Sequence, residues 1–276
     1  MSSVKNAPAT QPAELPVSIG RYRILGRLGL GATSEVFLAR DEFLQTDVAI
    51  KRVRAPVGPD GTHDAEADHF QSRFFAAEAA LVGRLQHPNV VRLLDAVQDA
   101  AQPYLVMEYV PGRTLKHFCR HDQLLPLDMI VELAFKCAMA LGYVFRQGLI
   151  HRDVKPANLL ALLDAQGQVR DVKVSDFGSA FNLRSDHTQV YRVGSLAYMS
   201  PEQLEGDDLD CRSDMYSLGA VLYHLIAGHP PFNAPVQMSL MNQIFHDPVK
   251  TLVGQRGGVS MELDQVIVRA LAKKPQ

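Results

Sequence analysis

The chain has 276 residues, with 28 Lys and Arg against 30 Asp and Glu and a formal net charge of −2. That balance excludes a nucleic-acid binder working by bulk basicity, and 47% apolar with 21% charged residues is an ordinary globular composition. Three cysteines without a CxxC pair exclude a disulfide framework and a Cys₄ zinc site, and they fit a reducing compartment.

The start lacks a basic-then-apolar signal peptide. Residues 1–20, rich in Ala, Pro, Ser and Gln, read as a flexible leader. Strand patterns follow at 22–25, 35–38 and 47–53, the first two flanking a Gly-containing turn. A polar loop covers 55–68. Helical spacing runs over 70–85, with Phe74, Ala77, Leu81 and Leu85 on one face. Further strands are expected at 90–94 and 104–109. After Pro111-Gly112 the character changes to long apolar-periodic segments at 127–145, 213–228 and 261–272. The fold class is therefore α+β, with two lobes: a small β-rich one over 21–110 carrying one helix, and a larger, mainly helical one over 111–276. The longest apolar run, 215–228, has 14 residues. A bilayer needs about 20, so it reads as a buried core helix, and a cytoplasmic chain without membrane contact is expected.

Four motifs carry chemistry. Leu28-Gly29-Leu30-Gly31-Ala32-Thr33-Ser34-Glu35-Val36 is a glycine-containing turn between two strands, where backbone N–H groups can approach a phosphate or simply make a hairpin. Lys51 ends the strand Val48-Ala49-Ile50, and Glu78 sits on the following helix; each read alone is a solvated surface charge. His151-Arg152-Asp153-Val154-Lys155-Pro156-Ala157-Asn158 is far more specific. HRDxKxxN should arise by chance on the order of 10⁻⁴ times in such a chain. Asp176-Phe177-Gly178 follows 23 residues after Asp153. His87-Pro88-Asn89 reads as a turn, the cysteines as small core or surface residues, and the histidines show no metal-ligand spacing.

In this order, with Ser200-Pro201-Glu202, the motifs resemble a Hanks-type, eukaryotic-like Ser/Thr protein kinase domain of bacterial character. The resemblance covers residues 20–276. It implies the bilobal protein-kinase fold and transfer of the γ-phosphoryl of ATP, with Mg²⁺ or Mn²⁺, to protein Ser/Thr hydroxyls. By that resemblance Gly29, Gly31, Ala32 and Ser34 cover the phosphates, Ser34 standing where the family has a third glycine. Lys51 holds the phosphates and is held by Glu78. Asp153 orients the acceptor hydroxyl and Lys155 steadies the γ-phosphate. Asn158 and Asp176 ligate the metal. Met107 is the gatekeeper, Glu108 and Val110 offer backbone groups to adenine, and Leu28, Val36, Ala49 and Leu160 sandwich its ring.

The resemblance also implies an activation segment over 176–202, with Thr188, then Ser185 and Tyr191, as phosphate acceptors pairing with Arg152. Ser195 is expected to be substrate-facing. Protein substrates are implied, and a homodimer phosphorylating itself in trans is compatible. The family places an arginine shortly after a segment like 271–275, paired with the Glu of its APE motif. The chain ends at Gln276, so a C-terminally truncated domain with Glu202 unpaired is expected. A pseudokinase and a small-molecule kinase are the alternatives. The presence of Lys51, Asp153, Asn158 and Asp176 favours activity, and the Ser200-Pro201-Glu202 segment favours protein substrates.

Overall fold

The computed structural model describes residues 15–31, 34–54, 72, 75–98, 102–182 and 196–274. Strands β1 (Ser18–Ile19), β2 (Tyr22–Leu30), β3 (Ser34–Asp41), β4 (Thr46–Val53), β5 (Leu93–Val97) and β6 (Tyr104–Glu108) form one antiparallel sheet in the order β1-β2-β3-β4-β6-β5. Phe37, Ala39, Val48, Ile50 and Val106 form one buried face, while Ala49, Leu105 and Met107 are buried on the other, toward the second lobe's core cluster. The sequence assigns 18–19 to the leader, yet they pair with Tyr22 and Arg23, and Ile19 is buried.

Two expected elements shift. The helix expected over 70–85 is helical at 72 and 75–79 within the described residues, and tight turns follow. Leu81 and Val82 donate three residues back, to Glu78 and Ala79, and Gly83 adopts φ +72°, which only glycine adopts without cost. Its buried face carries Phe75, Glu78, Leu81 and Leu85. The strand expected over 90–94 begins only at Leu93. Val90 instead bridges Val174, and Val91 N–H donates to the Val174 carbonyl at 2.9 Å.

The second lobe is helical around small sheets. β7 (Gly112–Thr114), β9 (Leu159–Leu163) and β10 (Val169–Val174) pair antiparallel, and β8 (Leu149–Ile150) pairs with β11 (Phe181–Asn182). Gly112 is required there, because a Cβ would overlap the Ala161 carbonyl. Helices are α1 (Leu127–Arg146), α2 (Pro201–Glu205), α3 (Cys211–Ala227), α4 (Gln237–His246) and α5 (Met261–Ala270). Asp210 caps α3 by accepting from Arg212 N–H, and Gly228 at φ +77° ends it. α3 contains the long apolar run and is buried along most of its length, packed against α1 and α5. Among the described residues no helix is long and apolar enough to cross a membrane.

Candidate active site

β4 lies between β3 and β6 and carries Lys51 opposite Val36 and Leu105. The Lys51 ammonium donates to Glu78 Oε2 at 2.7 Å and to Asp176 Oδ1 at 2.6 Å. Residues 27 and 125 positions apart in the chain thus meet at one nitrogen. Glu78 is 2% exposed, and it also accepts the Phe177 N–H. Burial pushes its carboxyl upward and Asp176 adds to this, against Lys51. Asp176 keeps 40% of its side-chain surface open. Burial would raise its carboxyl, but the Lys51 charge outweighs that and holds it at about 2. Burial works to lower the Lys51 ammonium, and the two carboxylates raise it instead. The Lys51 ammonium is thus held between two carboxylates whose titrations are pushed in opposite directions.

Asp176 has φ +67°, a left-handed conformation that is strained for a non-glycine residue. A Cβ on Gly178 would stand 3.3 Å from Glu78 Oε2 and 3.7 Å from Lys51 Nζ, so glycine there leaves room for the carboxylates. Phe177 is buried, its ring 4.8 Å from that of His151.

The HRD loop is tied down from several directions. Asp214, buried on α3, accepts the backbone N–H groups of His151 and Arg152, both at 2.8 Å. Gln203, on α2, donates through Nε2 to the Arg152 carbonyl at 2.8 Å. Arg152 has φ +66°. His151 Nε2 lies 3.0 Å from the Ser175 carbonyl, which can only accept, so the proton is on Nε2. Nδ1 then accepts the Asp153 N–H at 3.3 Å. Asp153 Oδ2 receives Lys155 Nζ at 2.6 Å and Asn158 Nδ2 at 3.0 Å. The Asn158 carbonyl accepts both the N–H and the hydroxyl of Ser175 at 2.9 Å. Through Asn158 and Ser175 the HRD loop and the strand entering Asp176 are joined, and the charge of Lys155 helps lower the Asp176 carboxyl.

A model of the protein kinase domain matches residues 22–276. The chain belongs to the protein kinase family. It is 39% identical over 267 residues to the serine/threonine-protein kinase PknB of Mycobacterium leprae, covering 93% of this chain and 40% of that protein. To PknB of Mycobacterium tuberculosis it is 37% identical over 265 residues, with the same coverage. A probable serine/threonine-protein kinase of Streptomyces coelicolor is 35% identical over 266 residues, 93% of this chain and 37% of that one. The chain thus spans about two fifths of the length of the curated relatives it matches.

On this kinase fold the other expected site residues fall as follows. Ala49 and Met107 belong to the buried core, paired directly across β4 and β6, and Val36, Val110 and Leu160 pack against it. Leu28 is exposed and stands outside that cluster. Gly31 N–H closes the turn onto the Ser34 carbonyl at 2.8 Å, and Gly29 pairs with Val36. Glu108 donates its own N–H to the Arg92 carbonyl, while its carboxylate takes Lys173 Nζ at 2.8 Å. Ala32, Ser185, Thr188, Tyr191 and Ser195 lie outside the described residues. Glu202, expected to be unpaired, is partly exposed and accepts the Ser213 hydroxyl at 2.6 Å.

The roles of three residues escape the sequence reading. Asp214 and Gln203 hold the HRD backbone, and Asn89 donates to Asp171 Oδ1 and to the Val172 carbonyl, both at 2.8 Å. Asn89 sits in the turn read as mere punctuation. Its carbonyl also takes the Val174 N–H, two residues before Asp176. An Asn in a polar turn or a Gln on a short helix carries no local signal for a partner so far along the chain.

Proposed function

We propose that the chain is an ATP-dependent protein serine/threonine kinase, a transferase that moves the γ-phosphoryl of ATP to Ser and Thr hydroxyls of proteins, its own activation segment included. The observation that carries this reading is the convergence of Lys51, Glu78 and Asp176 at one ammonium, beside the Asp153–Lys155–Asn158 cluster.

The donor set fits a hard divalent cation, Mg²⁺ or Mn²⁺. Asn158 spends its amide nitrogen on Asp153 and keeps its oxygen. Asp176 is ionised, and one of its two oxygens is taken by Lys51. The bound metal supplies charge neutralisation of the phosphates. Lys51, freed in part from Asp176, holds phosphate oxygens as a point charge, and Glu78 keeps its flexible stem in place. Asp153 orients the acceptor hydroxyl by accepting its hydrogen bond, and Lys155 stabilises negative charge on the transferring group. Positioning dominates, because phosphoryl transfer leaves the protein little covalent chemistry to do. Gly29 and Gly31 bring backbone close to the phosphates, and the Ala49, Met107, Val110 and Leu160 group takes the adenine ring. Lys155 in HRDxKxxN favours Ser/Thr over Tyr acceptors. A cytoplasmic setting, a homodimer that phosphorylates itself in trans, and Thr188, Ser185 or Tyr191 as the modified sites complete the reading.

Incubation with MgATP and a generic protein acceptor, followed by mass spectrometry, tests it. Phosphate on Ser or Thr of the acceptor or of the chain is expected. Nucleotide binding without any transfer would establish a pseudokinase instead.

A further inference from the structure

The turn Leu196–Tyr198 leads into α2, next to the Gln203–Arg152 tie. Both α3 and α4 pack against this turn. The 3₁₀ turn Leu115–Cys119 packs on α3 and also on the Pro156–Asn158 turn of the HRD loop. These elements pack against one another around the HRD loop, and stretches of the chain that they span are free of carboxylates. Residues 109–121 hold Arg113, Lys116, His117, Arg120 and His121 and no carboxylate. Residues 218–246, the inner part of α3 through the end of α4, hold no Lys, Arg, Asp or Glu, so they add no negative charge there. Arg113, Lys116, Arg120, His121 and His229 are exposed. The first acid beyond, Asp122, is engaged by Arg120 at 2.9 Å. The acids of 202–210 line a separate cavity with Lys273 and Lys274.

We infer that this rim selects substrates: the kinase takes acceptor hydroxyls flanked by Asp or Glu in preference to those flanked by Lys or Arg. The inference rests on the reading of the chain as a protein kinase. A surface of one sign concentrates ligands of the opposite sign and speeds their docking. A peptide Lys or Arg laid along residues 109–121 meets like charge, and that stretch of the chain offers it no carboxylate.

Three peptides sharing one central Thr, with Glu, Ala or Lys flanks, test it by kcat/KM. The Glu peptide should exceed the Lys peptide by about tenfold, the sum of two or three exposed ion pairs. The ratio should shrink toward unity in high salt. In the Arg113→Glu, Lys116→Glu double variant the preference should vanish or reverse, while the KM for ATP and the rate with the Ala peptide stay unchanged. Equal rates for Glu and Lys peptides, or a Lys preference, overturn the inference and leave the kinase reading intact. If no peptide and no residue of the chain itself is phosphorylated, the kinase reading falls and the inference with it. Should the double variant fail to fold, the wild-type salt series decides: a preference insensitive to salt overturns the charge mechanism.

Discussion

Asp214 accepts the backbone N–H of His151, 63 residues earlier in the chain, at 2.8 Å, and its second oxygen takes the next N–H. One buried carboxylate thus satisfies two donors that have turned away from regular structure, where Arg152 is at positive φ. Removing it in Asp214→Ala leaves both donors buried and bare. A loss of about 2–5 kcal/mol is expected, read by urea unfolding, together with loss of transfer as Asp153 shifts. Asp214→Asn, which keeps one acceptor, should fall between. Full stability in the Ala variant would contradict this account of the loop.

The Lys51–Asp176 pair makes a pH prediction. Asp176 is held below its ordinary value, at about 2, by Lys51. A lowered carboxyl contributes stability above its unfolded value near 3.8, and that contribution is lost as pH falls toward 2. Lys51→Met removes the cause. Its acid-unfolding midpoint should move to higher pH than that of the wild type, and transfer should fall by about 10²-fold or more. An unchanged acid midpoint would separate the two residues.

Asn89 ties the turn after the helical segment to β10, which leads into Asp176. Asn89→Ala should cost about 1–3 kcal/mol, the price of buried groups left without partners. Amide exchange should accelerate at Val91 and Val174 in particular, since their N–H groups close this junction. Acceleration confined to the exposed loops would contradict the assignment.

Much of this site is legible in the chain because HRDxKxxN and DFG are local: eight and three consecutive residues set the identities. The sheet of the first lobe is equally legible, since alternation in β3 and β4 is a period-two signal. The Lys51–Glu78 contact is legible only through the family resemblance, because each residue alone reads as a surface charge and packing of the helical segment on the sheet joins them. β7, β9 and β10 escape for another reason. Gly112–Thr114 has three residues, and Leu159–Leu163 is a continuous apolar run that periodicity cannot tell from helix. α4 carries only one fully buried residue, Ile244, so its stripe is faint. The helix over 70–85 was over-extended because apolar spacing continues through 81 and 85 even where Gly83 breaks the backbone.

Tyr198 and His224 sit 2.7 Å apart, hydroxyl to Nδ1, with their rings stacked. Burial, reinforced by His229 and His121, pushes the His224 imidazole down to about 4. A lowered histidine contributes stability above its unfolded value of 6.5, and this is lost as pH falls from there toward 4. His224→Gln should therefore flatten the slope of melting temperature against pH between 4 and 6.5. Parallel slopes for the two proteins would exclude His224 as its source.

The central claim is that Lys51, Asp153 and Asp176 act together on one bound nucleotide. Its most direct measurement compares nucleotide affinity with phosphoryl transfer in Asp153→Asn. Affinity for MgATP should stay within a few-fold of wild type, because the role proposed for Asp153 is toward the acceptor hydroxyl, while transfer should drop by about 10²–10⁴-fold. Undiminished transfer by Asp153→Asn would contradict the account.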